Sequence, residues 1–228
     1  AKQKILFRLG TQAFANADFK QAVEYLNQSL ALGSYNRRTQ ADAYYWRGEA
    51  AYRQGRYAEA ARDFKQFLSL AINPSEESYR LALYNLGYTA FKQKNYAEAG
   101  SWFKKFIDQP NTADMAIRAD AYNRLGDCRF YTRNFDEARR LYDHAAELYP
   151  SSGDYALYQI AFVKGLQKDY GGKITSLNRL IEQFPHSPYI DDALYERGRA
   201  YVQLENNDEA IASFRTLVEQ FPESSIAR

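Results

Sequence analysis

Apolar residues recur along this chain at helical rather than strand spacing. Phe64, Phe67 and Leu68, and again Leu177, Leu180 and Ile181, stand one, three or four residues apart, which places a stripe on one face of an α-helix. Small residues punctuate the stripes at a fixed beat. Gly10, Gly48, Gly87, Gly126, Ala161 and Gly198 precede by twelve residues Ala22, Ala60, Ala99, Ala138, Lys173 and Ala210. Members of the first series are 38, 39, 39, 35 and 37 residues apart, a period that belongs to helical solenoids. Small side chains at both places let two helices of a hairpin approach to about 8–10 Å, where ridges enter grooves, so a Leu at Gly48 is expected to overpack its hairpin. Turn pieces such as Gln54-Gly55-Arg56 and Arg133-Asn134 separate the two helices. An aromatic follows each turn (Phe19, Tyr57, Tyr96, Phe135, Tyr170) except the last, where Asn207 is expected to loosen the unit. Pro150, Pro185 and Pro222 close second helices, because proline cannot continue one.

The stretch from 184 to 222 begins and ends on Phe-Pro and carries Leu194, Gly198, Tyr201, Ala210, Phe214 and Pro222 in order. That pattern resembles the tetratricopeptide repeat, and the resemblance covers the whole chain as six units at about 3–36, 41–74, 80–113, 119–152, 154–187 and 191–224. It implies an all-α, right-handed α-α superhelix, or solenoid, of helix-turn-helix units, here a single domain over residues 1–228. Ala1 opens inside a helical pattern and Arg228 stops as the next would begin, which suggests a piece of a longer array. Phe184-Pro185-His186-Ser187 and Phe221-Pro222-Glu223-Ser224, with Asp192-Ala193-Leu194-Tyr195, are similar to repeats of the BamD outer-membrane-assembly lipoproteins and the Tol-Pal coordinators of Gram-negative bacteria. That likeness implies a periplasmic or outer-membrane-associated setting in the bacterial envelope rather than the cytoplasm.

Composition changes this picture in one respect. Apolar residues make up 46% and charged residues 25% of the 228, yet there are 20 Tyr and 14 Phe, an aromatic surplus that must be housed. A net charge of +2, with both signs mixed along the helices, gives no field for nucleic acid. No apolar run approaches the roughly 20 residues that span a bilayer. Phosphate loops, zinc helices, nucleophile elbows and calcium loops are missing, so the chain reads as non-enzymatic and without cofactor or metal. Cys128 follows Gly126 by two, where Ala50, Thr89, Val163 and Ala200 stand elsewhere, and reads as a small packed hydrophobe. His144 and His186 read as surface or capping residues. Asp191-Asp192 and Asp136-Glu137 suit the first turns of helices.

The resemblance also implies a concave groove lined by successive first helices. Three positions share that helical face. Three before the small anchor come Phe7, Tyr45, Tyr84, Asn123, Tyr158 and Tyr195; one after come Thr11, Glu49, Tyr88, Asp127, Phe162 and Arg199; four after come Phe14, Tyr52, Phe91, Phe130, Gly165 and Val202. The first set is read as groove lining, against contacts between adjacent first helices. The third is read as core packing, against groove, because the family's usual aromatic place holds Ala13, Ala51, Ala90, Arg129, Lys164 and Tyr201. Two before the anchor stand Arg8, Trp46, Asn85, Arg124, Gln159 and Glu196, of which Asn85 and Arg124 are expected to grip a peptide backbone or carboxylate. A full carboxylate clamp is absent, since Phe7, Thr11, Tyr45 and Glu49 replace its Lys and Asn. The expected peptide-binding set is therefore Tyr45, Trp46, Tyr84, Asn85, Tyr88, Asn123, Arg124, Asp127, Tyr158, Phe162, Tyr195 and Arg199, a wall whose tyrosines combine rigid contact area with a hydroxyl. A protein or peptide partner is the first reading. A structural spacer that self-associates through its terminal helices, or a glycan-binding wall, are the alternatives.

Overall fold

The computed structural model describes residues 1–33, 36–71, 73–110 and 114–227, and all regular structure among them is helical. The expected end of the third repeat at 113, and Arg228, lie outside the described residues. The chain forms two compact units, Ala1–Thr112 and Ala113–Arg228. The first contains α1 (Lys2–Ala15), α2 (Phe19–Ala31), α3 (Arg37–Arg53), α4 (Tyr57–Leu70), α5 (Glu77–Lys92) and α6 (Tyr96–Ile107). The second contains α7 (Met115–Tyr131), α8 (Phe135–Leu148), a 3-10 turn at Pro150–Ser152, α9 (Asp154–Leu166), α10 (Tyr170–Gln183), α11 (Ile190–Gln203) and α12 (Asn207–Gln220). In each unit, helices consecutive in sequence pack on one another, so both are stacks of three hairpins and the chain is an all-α solenoid.

The small anchors do what their size predicts. A Cβ built on Gly48 would come within 3.0 Å of Phe64, on Gly87 within 2.7 Å of Phe103, on Gly126 within 2.6 Å of Tyr142, on Gly198 within 2.6 Å of Phe214, and on Gly10 within 2.7 Å of Leu26. Each second helix thus rests one large side chain directly on the backbone of the first. Phe64, Phe103 and Tyr142 are wholly buried there, and burying such a ring contributes about 1.5–3 kcal/mol. The fifth hairpin keeps a small anchor in Ala161, whose methyl lies in one buried cluster with Leu177.

The aromatics four after the anchor pack at the mouth of the hairpin. Phe14 meets Phe19 edge-on at 5.3 Å, Tyr52 meets Tyr57 at 5.4 Å, Phe91 meets Tyr96 at 5.3 Å and Phe130 meets Phe135 at 5.6 Å. The partner in every case is the aromatic that follows the turn, so the two surpluses consume each other, each pair adding about 0.5–1.5 kcal/mol beyond burial. The last two hairpins lose the pairing together, with Gly165 beside Tyr170 and Val202 beside Asn207.

Every hairpin turn bends through one left-handed residue, seven after the anchor: Ala17, Gly55, Lys94, Arg133, Lys168 and Glu205, with φ from 58° to 73°. Five of these carry a side chain that disfavours the conformation by roughly 1–2 kcal/mol. An Asp or Asn follows in most turns and starts the second helix. Asp18 accepts from the Gln21 N–H at 3.0 Å, and Asp169 accepts from Gly172 at 2.8 Å.

The Phe-Pro-x-Ser connectors have a structural task. Ser187 Oγ donates to Asp154 Oδ2 and Ser224 Oγ donates to Asp191 Oδ2, both at 2.7 Å. Each serine reaches back to the acid that opens its own repeat's first helix, which gives Asp191 a bonded partner in addition to its place at a helix start.

Candidate functional site

In the first unit, the expected wall runs along α3 and α5, whose helices touch. Tyr45 is buried, packed edge-on against Phe64 at 5.8 Å and Phe67 at 5.3 Å. Burial and the nearby Glu49 carboxylate push its hydroxyl well above the ordinary range, and that hydroxyl bonds Glu49 and Asn85. Asn85 donates in turn to Glu49, whose carboxyl is raised by burial despite Arg53 at 3.7 Å. Asn85 and Glu49 therefore close a polar knot between adjacent first helices. Trp46 is half-buried against Phe14 at 5.0 Å and Tyr45 at 5.5 Å. Tyr84 and Tyr88, half-exposed, meet at 5.0 Å and lean on Phe106 and Phe103 respectively.

In the second unit, the polar members on α7 fold inward. Asn123 and Asp127 are buried. Asp127 Oδ1 accepts from the hydroxyls of Tyr142 and Tyr155, both at 2.8 Å, and Oδ2 lies 2.6 Å from Arg124 Nη1. Arg124 also stands over the Tyr155 ring at 4.5 Å and 3.5 Å from Asp120, so its guanidinium is matched from within. Burial outweighs the Arg124 charge and raises the Asp127 carboxyl above its ordinary value. The same burial lifts the Tyr142 and Tyr155 hydroxyls far above theirs.

The outward face of this unit is carried by α9 and α11. Tyr158 lies 5.5 Å from Phe162 and stacks on Tyr189 at 5.2 Å with an interplanar angle of 12°. Its hydroxyl is raised by burial and then by the carboxylates of Asp192, Glu196 and Asp191. Tyr195 leans on Phe214 at 6.0 Å, with the Arg199 guanidinium 5.8 Å over its ring. Phe162 and Arg199 are exposed, and Tyr158, Tyr189 and Tyr195 are half-exposed.

Beside these rings lies a pocket of about 320 Å³ lined by Phe162, Leu166, Tyr170, Lys173, Glu196 and Arg199. Lys173, the residue that breaks the small-residue rule, is buried here and paired to Glu196 Oε2, while Arg199 Nη1 donates to Glu196 Oε1 at 2.9 Å. Gly165 makes the room: a Cβ there would sit 3.1 Å from Lys173 Cδ. By spacing alone Gly165 and Lys173 fall in different sets, four and twelve after the anchor, and are not joined. The signal was their occurrence in one repeat, a lost ring four after the anchor coinciding with a gained side chain twelve after it.

Among the described residues no three of His, Cys, Asp and Glu gather as a metal site, and no helix is long and apolar enough to cross a membrane.

Three models of the tetratricopeptide repeat match the chain, one at residues 41–74 and 119–152, a second at 155–187 and 192–224, and a third at 60–116, together more than half of it. None of the curated proteins compared with the chain matches it. Among solved structures, the fold is similar to PilW, titled a widely conserved type IV pilus biogenesis factor, with a TM-score of 0.70 and 19% identity over 99% of this chain and 96% of that one. PilF of Pseudomonas aeruginosa superposes with a TM-score of 0.67 and 15% identity over 99% and 95%. YrrB, titled a TPR protein with an unusual peptide-binding site, gives a TM-score of 0.66 and 19% identity over 90% and 97%.

Proposed function

The chain belongs to the tetratricopeptide-repeat family, and from that premise we propose that it is a non-enzymatic scaffold whose first-helix face in the second unit binds a segment of a partner protein. One observation carries the reading. Tyr158, Phe162, Tyr195 and Arg199, contributed by consecutive first helices, present half-exposed or exposed rings and one guanidinium on a rigid support. Buried ring contacts fix their orientations in advance, so a bound chain orders itself against a wall that does not have to reorganise. The inward-turned Tyr45, Asn123, Arg124 and Asp127 act as the supports of that wall, and Tyr84 and Tyr88 offer a smaller aromatic patch of the same kind in the first unit. The test is capture from native lysate, with wild type compared to a Tyr158→Ala, Tyr195→Ala double variant of unchanged circular dichroism. Loss of the captured partner is the expected result; identical capture sinks the face as the site.

The likeness to PilW, a type IV pilus biogenesis factor, together with the Phe-Pro-x-Ser connectors, supports a bacterial-envelope setting for this scaffold. A second reading, a structural spacer, is favoured by Ile211 and Val218, two turns apart on α12 and 55% and 51% exposed. Under it, light scattering would show mass rising with concentration, and Ile211→Lys would abolish the rise.

A further inference from the structure

We infer that the pocket between α9, α10 and α11 is a carboxylate subsite, taking an acidic group of the bound segment; this rests on the binding reading above and names the chemistry of its partner. Three observations lead there. First, the pocket's charge is unbalanced. Lys173 and Arg199 bring two cations against the one carboxylate of Glu196, so an anion completes the set. An ammonium carries three N–H donors, and among the described residues Glu196 accepts the hydrogen bond that Lys173 makes. Second, the lip is apolar. Phe162 is 38% and Leu166 54% exposed, which suits the aliphatic stem of a Glu or the last residue of a chain, and the pocket has the volume of about ten waters. Third, stability does not require the arrangement. Ala fills the place of Lys173 in the other five repeats, and a buried ion pair contributes little over a packed apolar residue. Two departures in one repeat, Gly165 and Lys173, set against Glu196 of the next, therefore serve something other than packing. The lysine comes from a second helix and reaches the first-helix face only because Gly165 leaves a gap.

The experiment is selection from two randomised nonapeptide display libraries, one fixed at its C-terminus and one ending in a free carboxylate, against wild type, Lys173→Met and Arg199→Gln. Lys173→Met keeps the stem and removes the charge, and circular dichroism checks its fold. Arg199 is exposed, so Arg199→Gln tests the same charge if Lys173→Met fails to fold. The expected result is enrichment of Asp or Glu at one position in the first library, or of any free C-terminus in the second, with a fall in affinity of at least tenfold and loss of the acidic preference in either variant. Peptides enriched without acidic preference, or with one that survives both variants, overturn the subsite and leave the binding face standing. No enrichment in either library overturns both.

Discussion

The contact between Gly87 and Phe103 allows a quantitative test of why these hairpins need a small anchor. A methyl on Gly87 would lie 2.7 Å from two carbons of the Phe103 ring, where an unstrained contact needs about 3.5–4.0 Å. The ring cannot swing aside, being wholly buried and flanked by Tyr84 at 6.0 Å and Tyr88 at 5.3 Å. Overpacking of this kind costs about 1–3 kcal/mol. Alanine recovers about 1 kcal/mol of helix propensity, so Gly87→Ala should destabilise by about 1 kcal/mol net. In a Phe103→Leu background the sign should reverse, because the fifth hairpin pairs a leucine with an alanine anchor, Leu177 and Ala161 sharing one buried cluster. There the same alanine should stabilise by about 1 kcal/mol, giving a coupling of about 2 kcal/mol in the double-mutant cycle. Urea unfolding followed by tryptophan fluorescence reads this selectively, since Trp46 and Trp102 both belong to the first unit. Additivity within about 0.5 kcal/mol would refute the argument that ring and glycine are matched.

Asp127 predicts a pH dependence. Its carboxyl is raised from 3.8 by burial, so the folded protein holds that proton more tightly than the unfolded chain, and the group's stabilising contribution is fullest below pH 3.8 and is lost as pH rises through the raised value. The difference in urea stability between wild type and Asp127→Asn should fall across that window; a rise would contradict the burial assignment. Cys128 is buried with its thiol pushed up to about 12, so an aromatic disulfide reagent at pH 8 should leave it untouched in native protein and titrate it stoichiometrically in urea. Glu205→Gly relieves a φ of 58° and should stabilise the second unit by about 1 kcal/mol in thermal unfolding by circular dichroism, whereas glycine at an ordinary helical site used as control should destabilise it by about 1 kcal/mol. Ser187→Ala removes the bond to Asp154 and should cost about 1.5–3 kcal/mol in the same assay, with no loss expected if the serine is merely a connector.

What was legible in the sequence was set by period. A residue such as Gly126 must be small because a ring from sixteen residues later lies on it, and that constraint recurs often enough to read without coordinates. Angle within a helix is read less well. Tyr45 and Tyr158 occupy the same place before their anchors, yet Tyr45 faces the core of its hairpin while Tyr158 remains half-exposed. The position lies at a seam between helices, where Tyr45 is enclosed by Trp46, Phe64 and Phe67 while Tyr158 lies against Phe162 and Tyr189. Polar pairing was the least legible. Nothing in the spacing of Asp127 and Tyr155 announces that they bond, because the contact crosses a repeat boundary, and Arg124 follows its local carboxylates rather than the ligand its type suggests.

The connector bonds have a consequence for how such a chain can grow. Ser187 to Asp154 and Ser224 to Asp191 are ties of identical span, each beginning and ending inside one repeat. A unit that fastens its own tail to its own head brings its closure with it when copied. A duplicate of residues 154–190 spliced in before residue 191 would bring its own Ser-to-Asp tie, so a partner that needs a longer footprint can be met by duplication once the contacts across the new repeat boundary, such as that of Asp127 with Tyr155, are matched.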